Sequence, residues 1–370
     1  MTRARDIANL GNGVDASDLT EGAVEGALTT PTGRRNLIIN GAMQVAQRGT
    51  SVSPSTSVAY LIDRFATNSG GCGDCTITQE NDGPSGVSEY SLKYLATSDD
   101  TLDSGNDCWI RYIVEKKDIE NINLQDSDAT LTLSFWVKSS QTGQSSIAVA
   151  DGPYSNRYIT TYNISSANTW EKVEVNIPSP STFTYTGDYG LRVYWDLGAG
   201  SDYRSIPNTW DNSVDWAVSG NFRVAGVNNA YLQITGVQLE VGSVATPFEH
   251  RSYGEELALC QRYYYMAVNG TNQSLGLGWC YSDTSVSVVV QHPVTMRATP
   301  SVDYVSGTSY FRIERGGGTG TAQGVFSVSN STARQSRIYD NSTVTGGVQG
   351  EAAWWFSNNA SAYVAFDAEL

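Results

Sequence analysis

The chain has 370 residues, 40% of them apolar but only 16% charged, well under the usual share of about a quarter. Its net charge of −15 and pI near 4.5 argue against nucleic acid and anionic lipid surfaces as partners, since both would repel it. The 36 glycines and 21 tyrosines suit many short strands joined by turns and suit a helical protein poorly.

Residues 1–35 are polar and glycine-rich, with apolar side chains only at Ile7, Leu10, Val14, Leu19, Val24 and Leu28. They cannot bury a core alone, so they read either as a flexible tail or as an anchor that orders on docking. The basic residues after Met1 are not followed by an apolar run, so no secretory signal is read there. No run of about 18 apolar residues exists, and membrane insertion by a helix is not expected.

Residues 36–251 alternate like half-buried strands. Leu131, Leu133, Phe135 and Val137 share one parity, with Thr132 and Ser134 on the other. Val173, Val175 and Ile177 alternate with Lys172, Glu174 and Asn176, and Tyr189, Leu191, Val193 and Trp195 repeat the pattern. Leu232 and Ile234 have one parity, whereas Val237, Leu239 and Val241 have the other, so a bulge is expected at Gly236. Strands at this spacing, with no long helix, predict a sandwich.

A short linker helix is expected over 252–265. Ser252 stands three before Glu255, a capping-box spacing, and Leu257, Cys260 and Tyr264 follow at i, i+3 and i+7. Residues 266–370 return to alternation, as in Val286, Val288 and Val290, and read as a second, smaller β domain broken by a glycine loop at 315–321.

Catalytic signatures are absent from the sequence. His250 and His292 are the only histidines, neither neighbours a serine elbow, and both read as structural. Gly316–Gly320 lacks the Lys and Ser/Thr of a phosphate loop. Cys72 and Cys75 form a lone Cys-x-x-Cys without a second pair, so a local disulfide or free thiols are expected before zinc. Asp99, Asp100, Asp103 and Asp107 place hard oxygen donors densely enough to suit a structural Ca²⁺, although the spacing is not that of an EF-hand and a solvated acidic turn is the plainer reading.

Sugars offer C–H patches that stack on aromatic rings and hydroxyls that bond to polar side chains. Trp195, Tyr203, Trp210 and Trp216 supply rings in one loop, with Asp202, Arg204 and Asp211 as polar neighbours. The alternative is that these tryptophans close the sandwich core.

Five separated phrases carry a family resemblance. The first is Asn-Leu-Ile-Ile-Asn-Gly-Ala-Met-Gln-Val-Ala-Gln-Arg-Gly at 36–49, followed by Tyr-Leu-Ile-Asp-Arg-Phe at 60–65. The second is Ile-Thr-Gly-Val-Gln-Leu-Glu-Val-Gly-Ser-Val-Ala-Thr-Pro-Phe-Glu-His-Arg at 234–251. The others lie at 253–264, 293–300 and 367–370. In this order they resemble bacteriophage tail-fibre and receptor-binding proteins with a carbohydrate-binding-module-like jelly roll. The resemblance implies an all-β chain: residues 1–35 attach to tail or other virion proteins, 36–251 form the jelly roll, 252–265 the linker helix, and 266–370 a trimeric head. It implies a non-enzymatic homotrimer, assembled in the host cytoplasm and carried on the virion, that binds a host surface glycan. Tyr310, Tyr339, Trp354 and Trp355 are then the distal glycan candidates, and the loops at 306–321 and 335–350 the places to look. A sheet shared by 36–45 and 237–241 is expected, because the resemblance sits at both ends of the sandwich. The rival readings are an adaptor or capsid fibre without receptor binding, a polysaccharide depolymerase, and a secreted glycan-binding module.

Overall fold

The computed structural model describes residues 35–370, apart from 55–57, 123, 125–128, 181–182, 214, 308, 317–320, 324–325 and 341–346. The anchor expected over 1–35 lies outside the described residues except for Arg35, as does most of the glycine loop. Two compact units divide the described chain. The first comprises 35–44, Ser51–Ala59 and Phe65–His250, and the second Val45–Thr50, Tyr60–Arg64 and Arg251–Leu370. Both are built from antiparallel strands. Helix among the described residues is limited to α1 (Lys116–Ile119), one 3-10 turn (Ser201–Tyr203) and α2 (Tyr253–Gln261).

The first unit begins with β1 (Ser51–Val52), and at β2 (Ala59–Tyr60) the chain passes out of it. It resumes with β3 (Phe65–Gly70), β4 (Cys75–Glu80), β5 (Ser91–Ala96), β6 (Asp107–Glu115), β7 (Thr130–Ser139), β8 (Gly143–Asp151), β9 (Arg157–Ile164), β10 (Glu171–Pro178), β11 (Tyr189–Asp196), β12 (Trp210–Asp211) and β13 (Tyr231–Val241). One sheet has the order β1-β4-β5-β13-β7-β10, and within this unit the other runs β12-β9-β8-β11-β6-β3. Setting aside two-residue β12 and counting the strands from β5 to β13 as 1 to 8, the sheets read 1-8-3-6 and 5-4-7-2. That interleaving is a jelly roll.

The alternation seen in the sequence produces this packing. On β10, Val173, Val175 and Ile177 are buried while Lys172, Glu174 and Asn176 face solvent. Opposite Val173 lies Phe135 of β7, which crosses the sandwich to meet Trp195 and Tyr162 edge-on at 5.8 and 5.4 Å. The expected bulge is present. The β13–β7 register slips between Thr235 and Gln238, and Gly236 takes φ 59°. Leu232, Ile234, Val237 and Leu239 are thereby all buried despite their opposite parities.

Residues 36–41 dock on that bulge. Leu37 N–H donates to Leu239 O, and Val237 N–H donates to Gly41 O, both at 2.9 Å. The Asn36 amide donates to Val237 O at 3.1 Å, and its oxygen accepts from Ile38 N–H and Leu239 N–H. The Glu249 carboxylate accepts from the backbone N–H groups of Arg35 and Asn36. A side chain at 41 is impossible here, because a Cβ would lie 2.1 Å from Val237 O. The two ends therefore meet as expected, but through turns and side-chain bonds rather than as a further strand.

Cys72 is disulfide-bonded to Cys108, not to Cys75, which is buried and free. This corrects the local-bridge expectation. β3 pairs with β6 so that Ser69 faces Cys108, and the turn after Gly70 carries Cys72 back to it.

Among the described residues the second unit holds α2 and ten strands: β14 (Tyr264–Asn269), β15 (Ser274–Cys280), β16 (Val286–Gln291), β17 (Ser301–Tyr304), β18 (Phe311–Arg315), β19 (Thr321–Gln323), β20 (Ser327–Ser329), β21 (Gln335–Asp340), β22 (Ala352–Ser357) and β23 (Tyr363–Asp367). Ser252 caps α2 by accepting from Glu255 N–H, as its spacing predicts, but the helix stops at Gln261 and Tyr264 opens β14 instead. The sheets are β14-β23-β17 and β19-β18-β22-β15-β16-β21-β20, around a core that includes Val288, Ile313, Ile338, Trp355, Val364 and Phe366.

Segments 45–50 and 60–64 complete this unit. Arg48 pairs with Asp367 and Glu369 and stacks on Tyr264, 3.4 Å from the ring centre. Arg64 pairs with Glu369 and stacks on Tyr263, and Tyr60 Oη donates to Leu370 O. Asp63 accepts from Gln47 inside this cluster, and burial raises its carboxyl to about 7.

Candidate functional site

The sandwich loop after β11 packs inward more than it presents. Trp195 is fully buried against Phe65 and Phe135, so it has no face for a sugar and leaves the candidate set. Trp216 is also buried, stacked between Tyr203 at 4.1 Å and Tyr194 at 6.1 Å. Tyr203 and Trp210 are half-buried, and the Trp210 indole donates to Pro178 O. The polar neighbours are used within the molecule: Asp202 accepts from Ser104, Arg204 donates twice to Ala199 O, and Asp211 accepts from Ser205 and Ser213.

The acidic turn does not gather into a cation cradle. Asp99 accepts from Asn228 N–H, Asp100 from Thr101 N–H, and the Asp103 N–H donates to Asn106 Oδ1. Asp107 is half-buried on β6, and burial raises its carboxyl above the ordinary range. Among the described residues, no three His, Cys, Asp or Glu side chains stand close enough to share a metal ion. The four acids therefore do not fit the Ca²⁺ reading.

The larger sheet of the second unit carries the exposed aromatics. Trp355 points inward and stacks on Phe326 in the core, and Tyr310 packs against the same core, so Trp355 is also removed as a candidate. Trp354, its neighbour on β22, points out and is 48% exposed. Register sets it opposite Leu277 of β15 on one side and Glu314 of β18 on the other. Trp279 lies opposite Ala352 and Ser287, and Ser287 lies opposite Tyr339. Leu277, Trp279 and Tyr281 are all exposed.

Arginines flank this face. Arg312 lies over Phe356 at 4.3 Å, and Arg337 lies near the rings of Tyr339 and Tyr281 while donating to Ser287 Oγ. The Trp354 indole donates to Ser274 Oγ at 2.7 Å, which fixes the ring. Of the distal candidates, Trp354 and Tyr339 thus share one face. Leu277, Trp279 and Tyr281 were not found from sequence.

Gly276 explains the omission. The β15–β22 register shifts between Ser274 and Gly276, so Leu275 turns inward while Leu277 and Trp279 turn outward. The signal available was Leu-Gly-Leu-Gly-Trp at 275–279, with glycine on every second position. Gly278 admits no side chain, since a Cβ would lie 1.8 Å from Ser287 O.

His292 is buried, with its ring nitrogens facing Ala333 O and Ser336 Oγ, and burial lowers its pKa. His250 packs edge-on against Phe248.

No family model and no curated protein sequence matches the chain. Solved structures match weakly. The enzymatically active domain of tailspike protein 4 of bacteriophage CBA120 is 15% identical at a TM-score of 0.31, over 56% of this chain and 21% of that one. A putative sugar binding protein from Bacteroides thetaiotaomicron is 11% identical at 0.29, over 56% of this chain and 99% of that one. A family 11 carbohydrate-binding module from Clostridium thermocellum, in complex with a mixed-linked tetrasaccharide, is 9% identical at 0.28, over 53% and 98%. Likenesses at this level assign no function, and the jelly-roll topology rests on the strand order itself.

Proposed function

We propose that this chain is a non-catalytic structural protein of a bacteriophage virion, a homotrimeric tail fibre that holds host surface glycan on the outward sheet of its second unit. One observation carries the glycan reading: Trp354, Trp279 and Tyr339 stand exposed or half-exposed on one face of the sheet, with Tyr281 just past the end of β15 and Arg312 and Arg337 beside them. Rings of this kind stack on sugar C–H patches, and guanidinium donors take the hydroxyls. Sheet backbone holds the rings in place, so little order is lost on binding. The virion and trimer parts of the reading are supported by the five family-like phrases. Weak sites multiplied over three chains give tight adsorption by avidity.

The test is adsorption competition with host cells. Purified protein should block phage adsorption in a dose-dependent way, and periodate treatment of the cells should abolish its binding. Trp354→Ala should weaken that binding at least tenfold without changing the circular dichroism spectrum. A folded trimer that neither binds nor blocks would sink the receptor reading and leave the virion adaptor in its place.

A further inference from the structure

Three arginines converge on one tyrosine on the outward side of the β12-β9-β8-β11-β6-β3 sheet. Register places Arg192 of β11 opposite Ala150 of β8, and Ala150 opposite Arg157 of β9. Arg111 of β6 lies opposite Tyr194 of β11, which in turn faces Ala148. Tyr154, from the β8–β9 turn, reaches all three. Its hydroxyl accepts from Arg192 at 2.5 Å and from Arg111 at 3.4 Å and bonds to the Tyr194 hydroxyl, and its ring lies 3.7 Å from the Arg192 guanidinium and 4.6 Å from that of Arg157.

The turn is held rigidly. Tyr154 has φ 62°, an unusual value for an aromatic residue, and Asp151 supports it by accepting from Ser155, Asn156 and Thr184.

What distinguishes Arg157 and Arg192 within the cluster is a shortage of counter-charge. Arg157 and Arg192 are 4% and 7% exposed, and the Nε of each is buried without an acceptor. Arg157 donates to Asp215 O, and Arg192 to Gly152 O and Tyr154 Oη. Neither has a carboxylate within ion-pair distance among the described residues. Asp107, Asp211 and Asp215 act on Arg157 only at longer range. Burial, with Arg192 adding to it, pulls the Arg157 guanidinium below its ordinary pKa. Such burial is costly unless an anion meets the charge. In a chain with 38 acidic side chains against 23 basic ones, an arginine pair without a carboxylate is a specific arrangement.

We propose that Arg157, Arg192, Arg111 and Tyr154 form a site for the carboxylate of an acidic sugar, a site separate from the aromatic face of the second unit. Planar guanidinium groups match a carboxylate in two parallel hydrogen bonds. Ring contacts run on from Tyr154, tilted against Tyr194 at 6.2 Å, to Trp216 stacked on Tyr194 and half-exposed Tyr203 stacked on Trp216, so further units of an oligosaccharide would meet an aromatic surface along the same sheet. The net charge of −15 selects against dense polyanions and is less of a barrier to a single carboxylate. The anion site rests on the arginine geometry alone; the sugar rests on the glycan reading above.

The experiment is a calorimetric titration of the full chain with a glucuronate-containing oligosaccharide, the same oligosaccharide with its carboxyl groups reduced, and inorganic phosphate. The acidic oligosaccharide should bind at least tenfold more tightly than the reduced form, and Arg157→Gln should remove that difference. Equal affinity for the two forms, or unchanged binding by folded Arg157→Gln, overturns the site. Phosphate binding as tight as that of the acidic oligosaccharide overturns the sugar assignment. If Arg157→Gln does not fold, Tyr154→Phe keeps the ring and removes the hydroxyl; it should weaken binding several-fold, and unchanged affinity counts against the proposal. Trp354→Ala separates the two readings, since it should lose host-cell glycan and leave this titration as it was.

Discussion

Replacing Asn36 by alanine tests the closure of the jelly roll most directly. Its side chain makes three hydrogen bonds: to Val237 O at 3.1 Å, from Ile38 N–H at 2.9 Å and from Leu239 N–H at 3.1 Å. Asn36 is 5% exposed, and Val237 and Leu239 are fully buried, so water cannot easily take over. Each buried polar group left without its partner costs about 1–3 kcal/mol. With three groups affected, and some relaxation of the 36–41 turn, the loss should be about 3–5 kcal/mol. In urea unfolding followed by circular dichroism, this lowers the midpoint by about 1–3 M at a slope typical for the size. Asn36→Asp is the informative companion. It keeps both accepted bonds but turns a carboxylate oxygen toward Val237 O, beside the Glu249 carboxylate that already holds the Asn36 N–H. Its loss should equal or exceed that of alanine and should shrink in acid, where the new carboxyl is protonated. An alanine variant within about 1 kcal/mol of the parent would refute the reasoning, because one lost hydrogen bond would account for that much.

Peptide mapping under non-reducing conditions should recover Cys72 linked to Cys108, and breaking this bridge, which spans 36 residues, should cost about 4 kcal/mol of stability; a Cys72–Cys75 peptide would contradict the strand register. The Asp63 carboxyl is raised to about 7 by burial from an ordinary 3.8, so the folded state holds a proton that the unfolded chain has released, and this group makes stability fall as pH rises between those values. Asp63→Asn should therefore flatten the melting temperature between about pH 5 and 7, and a parent protein whose stability climbs through that window with the variant unchanged would contradict the assignment. Gly278→Ala drives a Cβ to 1.8 Å from Ser287 O, so it should part β15 from β16, cost about 2–4 kcal/mol and abolish glycan binding; a stable variant that still binds would remove this face from consideration.

Local pattern was readable wherever one rule acted alone. Val173, Val175 and Ile177 announced β10, the parity switch announced the bulge at Gly236, and Ser252 with Glu255 announced the start of α2. Side-chain destination was less readable. Trp354 and Trp355 are adjacent and chemically identical, and only the pleat decides that one is 48% exposed and the other 1%. Leu277 and Trp279 escaped because the shift at Gly276 reverses the inward and outward sense set by Leu275. The Cys72–Cys108 bridge depends on how β3 aligns with β6, which spacing along the chain does not encode. The four acids at 99–107 are neighbours in sequence, but the Asp99 and Asp100 carboxylates accept from the N–H groups of Asn228 and Thr101, and no three acids come close enough to share an ion among the described residues, so density of donors did not become a site.

Segments 45–50 and 60–64 belong to the unit that the C-terminal residues finish, and this sets a timetable for synthesis. Arg48 and its partner Asp367 are 319 residues apart. At about 5–20 residues per second, a ribosome delivers the second partner roughly 16–64 s after the first. For that interval Arg48 and Arg64 remain hydrated, Asp63 keeps an ordinary acidity, and no carboxylate from Asp367 or Glu369 has emerged. Of the carboxylates that pair with Arg48 in the folded protein, only Asp63 is then available. The charge cluster of the second unit therefore closes late in synthesis, once Asp367 and Glu369 have emerged.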